Sequence, residues 1–201
     1  MALMKALPLV LAAATSMLHA TGASAAPRSV DARTFDVAGV RTGMDFEEAR
    51  TALAWHFGVK PEEIKADPFP GENPVTRTKL PSYLTLEKDG AKVTVHFEGR
   101  VPVDPAHPLA VSLVSYETPW STQNGTAMAS AASSKYGTAS NSPNTLPMQW
   151  CARPSANPGI GCGPDQARLE LSQTRMTLGD PGWTAARIKF LEAARATKPN
   201  F

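Results

Sequence analysis

The sequence predicts an α+β protein: two tandem helix-plus-three-strand units with antiparallel sheet, helices packed on one face, and one disulfide. Three observations predict it. A capped amphipathic segment at 45–57 is followed by alternating segments joined through Asp89-Gly90. The same order, helix and then strands, restarts near residue 121. The only two cysteines, Cys151 and Cys162, stand between two further alternating segments.

The ends come first. Lys5, an apolar core from Leu7 to Leu18 and Ala23-Ser24-Ala25 read as a signal peptide over 1–25, with cleavage expected before Ala26. No cysteine follows that core, so no lipid anchor is expected. No later run nears the ~20 apolar residues of a membrane span. The expected product is soluble and periplasmic, with the extracellular space as the alternative destination. Only Lys5 among the charges leaves with the leader, so 19 basic residues face 18 acidic ones. That balance gives no electrostatic case for nucleic acid or a membrane surface.

Residues 26–33 read as a flexible lead. The first unit is expected over 34–120 and the second, with a C-terminal helix, over 121–201, the two forming one compact domain. Gly39 and Gly43 punctuate a turn. Asp45 and Glu48 then supply a capping box, and Phe46, Ala49, Leu53 and Phe57 recur on one helical face. Gly58 is the stop. Pro61 opens a further turn, and the proline-rich stretch 68–81 reads as a long irregular loop. Segments 83–87 and 92–98 flank Asp89-Gly90, a hairpin signal, and 109–116 reads as a third strand. Thr122 is the expected cap of a second helix ended by Gly137, with Met128, Ala131 and Ala132 as its stripe. Strands follow near 148–152, 167–172 and 174–178. Asp180-Pro181 opens the last helix, whose expected buried stripe is Ala185, Ile188, Leu191 and Ala194.

The cysteines bound a ten-residue segment with two prolines, two glycines and an asparagine, which is turn material. Strand, loop and strand with a structural disulfide is the reading. Zinc needs about four ligands at paired short spacings, and a redox pair is usually C-x-x-C. No metal or cofactor is expected. Trp150 is expected to pack over the disulfide.

Val37-Ala38-Gly39-Val40-Arg41-Thr42-Gly43-Met44-Asp45-Phe46-Glu47-Glu48-Ala49 resembles the approach to the first helix in small exported αβ-repeat proteins. These are the beta-lactamase inhibitory protein type and the outer-membrane assembly lipoprotein (SmpA/OmlA) type. Lys135-Tyr136-Gly137 looks like the same arrangement repeated. The resemblance implies a protein-binding scaffold whose exposed sheet face or loops grip a partner. Two departures stand out: no lipobox cysteine, and one cysteine pair where the inhibitor type has a disulfide in each repeat. The resemblance carries over architecture and no functional residue.

No G-x-S-x-G, H-E-x-x-H, P-loop or G-x-G-x-x-G occurs. Oxidised cysteines cannot attack a substrate. Glu47-Glu48 and Glu62-Glu63 lie at helix starts, where acids serve the dipole. His56 favours a helix C-terminus, His96 a polar strand face, and His107 receives no role. No catalytic residue is expected. The expected function is a non-enzymatic protein-binding module of the cell envelope, possessing an envelope protein as partner. An envelope hydrolase or small-ligand-binding protein, with a pocket between helices and sheet, is the alternative. The candidate binding surface comprises Trp120, Pro70 and Gly71 in the long loop, and Asn157 and Ile160 at the hairpin tip.

Overall fold

The computed structural model describes residues 28–141, 146–157 and 160–196; the signal peptide expected over 1–25 lies outside them. The chain builds one seven-stranded antiparallel sheet from β1 (Lys65–Ala66), β2 (Tyr83–Lys88), β3 (Ala91–Gly99), β4 (Leu109–Glu117), β5 (Met148–Cys151), β6 (Arg168–Ser172) and β7 (Arg175–Gly179). Their order in space is β1-β2-β3-β4-β7-β6-β5. The α-helices among the described residues are α1 (Phe46–Phe57), α2 (Thr122–Tyr136) and α3 (Pro181–Ala196).

Period-two alternation gives the sheet one dry face. The register aligns Leu84, Val95, Val114, Leu178, Leu169 and Trp150 in a row across six strands, and all six are fully buried. Burying one such side chain is worth about 1.5–3 kcal/mol.

α1 and α2 cover this face. The Asp45 carboxylate accepts from the Glu48 N–H at 2.8 Å, and Glu48 accepts from the Asp45 N–H at 2.8 Å. Gly58 closes α1 at φ 60. α1 buries Ala49, Leu53 and Ala54, and the Phe46 ring lies 5.2 Å from Phe97. α2 is capped by Ser121, one residue before the expected Thr122. It buries Met128, Ala132 and Tyr136; Ala131, expected in that stripe, is exposed. The i, i+4, i+8 spacing follows the helical turn more closely than the expected trio.

α3 lies on the opposite face, so the helices do not all pack on one side. Phe97 meets α1, whereas the next residue, Glu98, meets Thr184 and Arg187 of α3; neighbouring strand residues point to opposite faces. The expected α3 stripe fails for the same reason. Ala185 and Ala194 are exposed and Ile188 is 46 % exposed. α3 turns Trp183, Thr184 and Arg187 toward a polar surface instead.

Residues 28–33, expected to be a loose lead, are tied down. Arg28 donates to the Tyr136 carbonyl at 3.0 Å, the Val30 N–H donates to the Cys151 carbonyl at 2.9 Å, and Ala32 is fully buried. This segment and Ser140 satisfy the outer edge of β5, which would otherwise present open hydrogen-bonding groups.

Candidate interface on the polar sheet face

Between the apolar rows lie the residues of the other face. Thr85, Thr94, Ser115, Thr177, Glu170 and Gln149 are paired neighbour to neighbour, one row crossing six strands. All six are half-buried. A second row runs Glu87, Lys92, Glu117, Arg175, Ser172, and a third runs Tyr83, His96, Leu113, Gly179, Arg168, Cys151. Strand spacing of about 4.8 Å sets these side chains in a regular grid.

The carboxylates of this grid are engaged. Glu87 lies 3.6 Å from Lys92, and Glu117 2.9 Å from Arg175. Glu170 accepts from Gln149 at 2.8 Å and lies 3.8 Å from Arg168. Glu98 accepts from Thr184 at 2.9 Å and lies 2.8 Å from Arg187 Nε, off the N–H direction, so that contact is ionic. Acidic and basic groups alternate, leaving a patterned but nearly balanced surface. His96 is exposed beside Tyr83, with ring centroids 6.3 Å apart; desolvation by the sheet holds its pKa below the ordinary value. A depression of about 310 Å³ sits between the sheet and α3, bordered by Arg168, Glu170, Thr177, Asp180 and Thr184. His96 does not line it. Among the described residues no three His, Cys, Asp or Glu side chains converge to hold a metal ion.

The disulfide forms as expected. Cys151, the last residue of β5, and Cys162, in the connection to β6, are bonded with Cα atoms 6.0 Å apart. Gln149 braces it: its side-chain oxygen accepts from the Cys162 N–H at 2.8 Å. Trp150 is buried, but on the dry face. Its indole N–H donates to the Gly137 carbonyl at 3.0 Å and its ring meets Tyr136 at 5.9 Å. Strand alternation sends Trp150 and Cys151 to opposite faces, which is why it does not cap the bridge.

The candidate surface residues fall in separate places. Trp120 is 74 % exposed, just before α2. Pro70 and Gly71 are exposed, and their neighbour Phe69 is 87 % exposed. Asn157 and Ile160 are exposed in the β5–β6 connection. The 68–81 stretch is more ordered than a long irregular loop: Glu72 bridges Lys79, Asn73 and Thr78 share a backbone hydrogen bond of 2.8 Å, and Val75 is buried. Asp67 closes its base, accepting from Ser82 Oγ, Phe69 N–H and Ser82 N–H; these bonds hold its carboxyl below the usual range.

Sequence reasoning missed His107, whose Nδ1 lies 2.5 Å from Asp45 Oδ2. Sixty-two residues separate them, and nothing local signals the pairing. It also missed Arg100, which donates to the Gly43, His107 and Leu109 carbonyls and stands over the Trp183 ring. Compared with known proteins, the chain matches no family model, no curated protein and no solved structure.

Proposed function

We propose that this chain is an exported, non-enzymatic binding module of the cell envelope, which grips a partner protein with the part of its polar sheet face that α3 leaves open. The observation that carries the reading is the grid of Lys92, Glu117, Arg175 and the Thr–Ser row: a broad, half-exposed, charge-alternating surface on a rigid support. Interfaces of this kind gain specificity from complementary charge and fixed register. The carboxylates there are committed to ion pairs and hydrogen bonds, which suits recognition better than proton transfer.

The tandem reading belongs to the same proposal. The order helix, β2-β3-β4 and then helix, β5-β6-β7 is that of two three-stranded meanders. They meet where β4 pairs β7 antiparallel, and the 37–49 motif that resembles the beta-lactamase inhibitory protein and SmpA/OmlA type supports reading them as a repeat. A disulfide is compatible with export to an oxidising compartment such as the periplasm. No helix among the described residues is long and apolar enough to cross a membrane.

The test is an affinity capture from envelope extract with the chain from Ala26 onward. A captured protein that is lost from a Lys92→Glu, Arg175→Glu variant, and whose retention weakens with salt, is the expected result. Equal retention by that variant would refute the sheet-face assignment. Hydrolysis of a wall or lipid substrate by the same material would favour the alternative, an envelope hydrolase or small-ligand-binding protein using the depression beside α3.

A further inference from the structure

A different part of the surface has a different chemistry. From Thr118 to Ala152 the sequence holds one charged residue, Lys135, in a chain that is 19 % charged. Lys135 is itself neutralised by Asp36 at 2.7 Å. Sixteen of those 35 residues are Ser, Thr, Asn or Gln. The described part of the stretch contributes α2 and β5.

A groove of about 470 Å³ lies between the start of α2, the start of β5 and the β6–β7 turn. Trp120 and Leu146 are its exposed apolar members, at 74 % and 56 % exposure. Met148 and Ala129 line it as well. The polar lining is uncharged: Ser121, Thr122, Thr126 and the exposed amide of Gln173. Arg175, two residues beyond Gln173, is taken up by Glu117 at 2.9 Å.

We infer that this groove binds a neutral oligosaccharide, a short segment of uncharged glycan stacked on Trp120. A pyranose ring offers a face of C–H groups and a rim of hydroxyls. The electron-rich face of an indole attracts the polarised C–H groups, while hydroxyl and amide side chains exchange hydrogen bonds with the rim. The volume falls in the ~300–1,000 Å³ range of small-ligand sites. Charged peptide side chains and anionic lipid headgroups find no counter-charge among the residues that line this groove. A second copy of the chain would need to bury roughly 1,000 Å² or more, well beyond one exposed tryptophan and its neighbours. This site is independent of the sheet-face proposal and would place the module on a glycan while the grid holds a protein.

The experiment is titration of the full chain from Ala26 onward with cellohexaose and N-acetylchitohexaose, followed by calorimetry and tryptophan fluorescence. Saturable binding of at least one, insensitive to salt between about 0.02 M and 0.5 M, is expected. Trp120→Ala should weaken it about tenfold or more, Trp120→Phe less, and Gln173→Ala several-fold. Trp55→Ala, which removes a still more exposed indole on α1, should leave it unchanged. The Lys92→Glu, Arg175→Glu variant should also bind sugar normally, which separates this site from the protein-binding face. Binding of neither oligosaccharide, equal binding by Trp120→Ala, or steep loss with salt overturns the proposal. So does a Trp120-dependent dimer in sedimentation, which would assign the groove to a second copy.

Discussion

His107 Nδ1 lies 2.5 Å from Asp45 Oδ2, which fastens the loop between β3 and β4 to the cap of α1. Asp45 is nearly buried and serves both partners, since its other oxygen accepts from the Glu48 N–H. Burial pushes its carboxyl up; hydrogen bonds from Glu48 and His107 and the charge of His107 outweigh this and leave it below the ordinary value. Asp45→Ala should therefore cost about 1–2 kcal/mol in denaturant unfolding. His107→Ala, losing one half-exposed contact, should cost less than about 1 kcal/mol.

The sign of the pH effect follows. The folded carboxyl titrates below its unfolded value of about 3.9, so its contribution is full above that pH and is lost as pH falls through the folded pKa. Asp67, also lowered, acts in the same direction at the base of the 68–81 segment. Denaturation midpoints between about pH 2 and pH 5 should fall less steeply for Asp45→Asn than for the natural chain. Parallel profiles would remove Asp45 from the acid response.

Gly99 faces the buried anchor of that segment. A Cβ there would stand 2.7 Å from Val75 Cβ, closer than side chains tolerate. Gly99→Ala should cost roughly 1–3 kcal/mol through overpacking and should speed proteolysis within 68–81. If stability and cleavage stay unchanged, Val75 does not hold the segment.

The Cys151–Cys162 bridge closes an 11-residue separation. Replacing both cysteines by alanine should lower unfolding free energy by about 3 kcal/mol on the chain-entropy model. The natural chain should become equally unstable under reductant, and the variant should be indifferent to it. A reductant effect on the variant would place the sensitivity elsewhere.

The elements legible in the sequence were those fixed by nearby residues. The Asp45–Glu48 box, Gly58, Asp89-Gly90 and the cysteine spacing each act within a few positions, and the helix, hairpin and disulfide appear where they point. Trp120, after a strand end beside Pro119, reads more readily as a buried staple than as a surface residue, and the structure instead leaves it 74 % exposed. The grid on the polar sheet face was not legible, since Thr94, Ser115 and Thr177 become neighbours only through register set by turns far apart. α3 misled for a related reason: its apolar residues suggest a stripe, but they cannot report that the opposing surface is polar.

That polar surface makes α3 a sensitive element. Among residues 181–195 of α3 none is fully buried, so its docking rests on half-buried side chains. Glu98 accepts from Thr184 and faces Arg187, with side chains 19 % and 29 % exposed for the two ionic partners. Glu98→Ala leaves Arg187 half-buried without its anion and should cost about 1–3 kcal/mol. Glu98→Gln keeps an acceptor for Thr184 and should cost less. Arg100 is the second fastener, its guanidinium 5.4 Å over the Trp183 ring. Because Arg100 and Glu98 hold α3 at different points, a double variant should approach the sum of the single costs. Hydrogen exchange should show α3 amides losing protection in Glu98→Ala while β3 and β4 keep theirs. If helix and strands lose protection together, α3 is part of the cooperative core after all, and its polar underside is held by the sheet as tightly as the apolar face of α1.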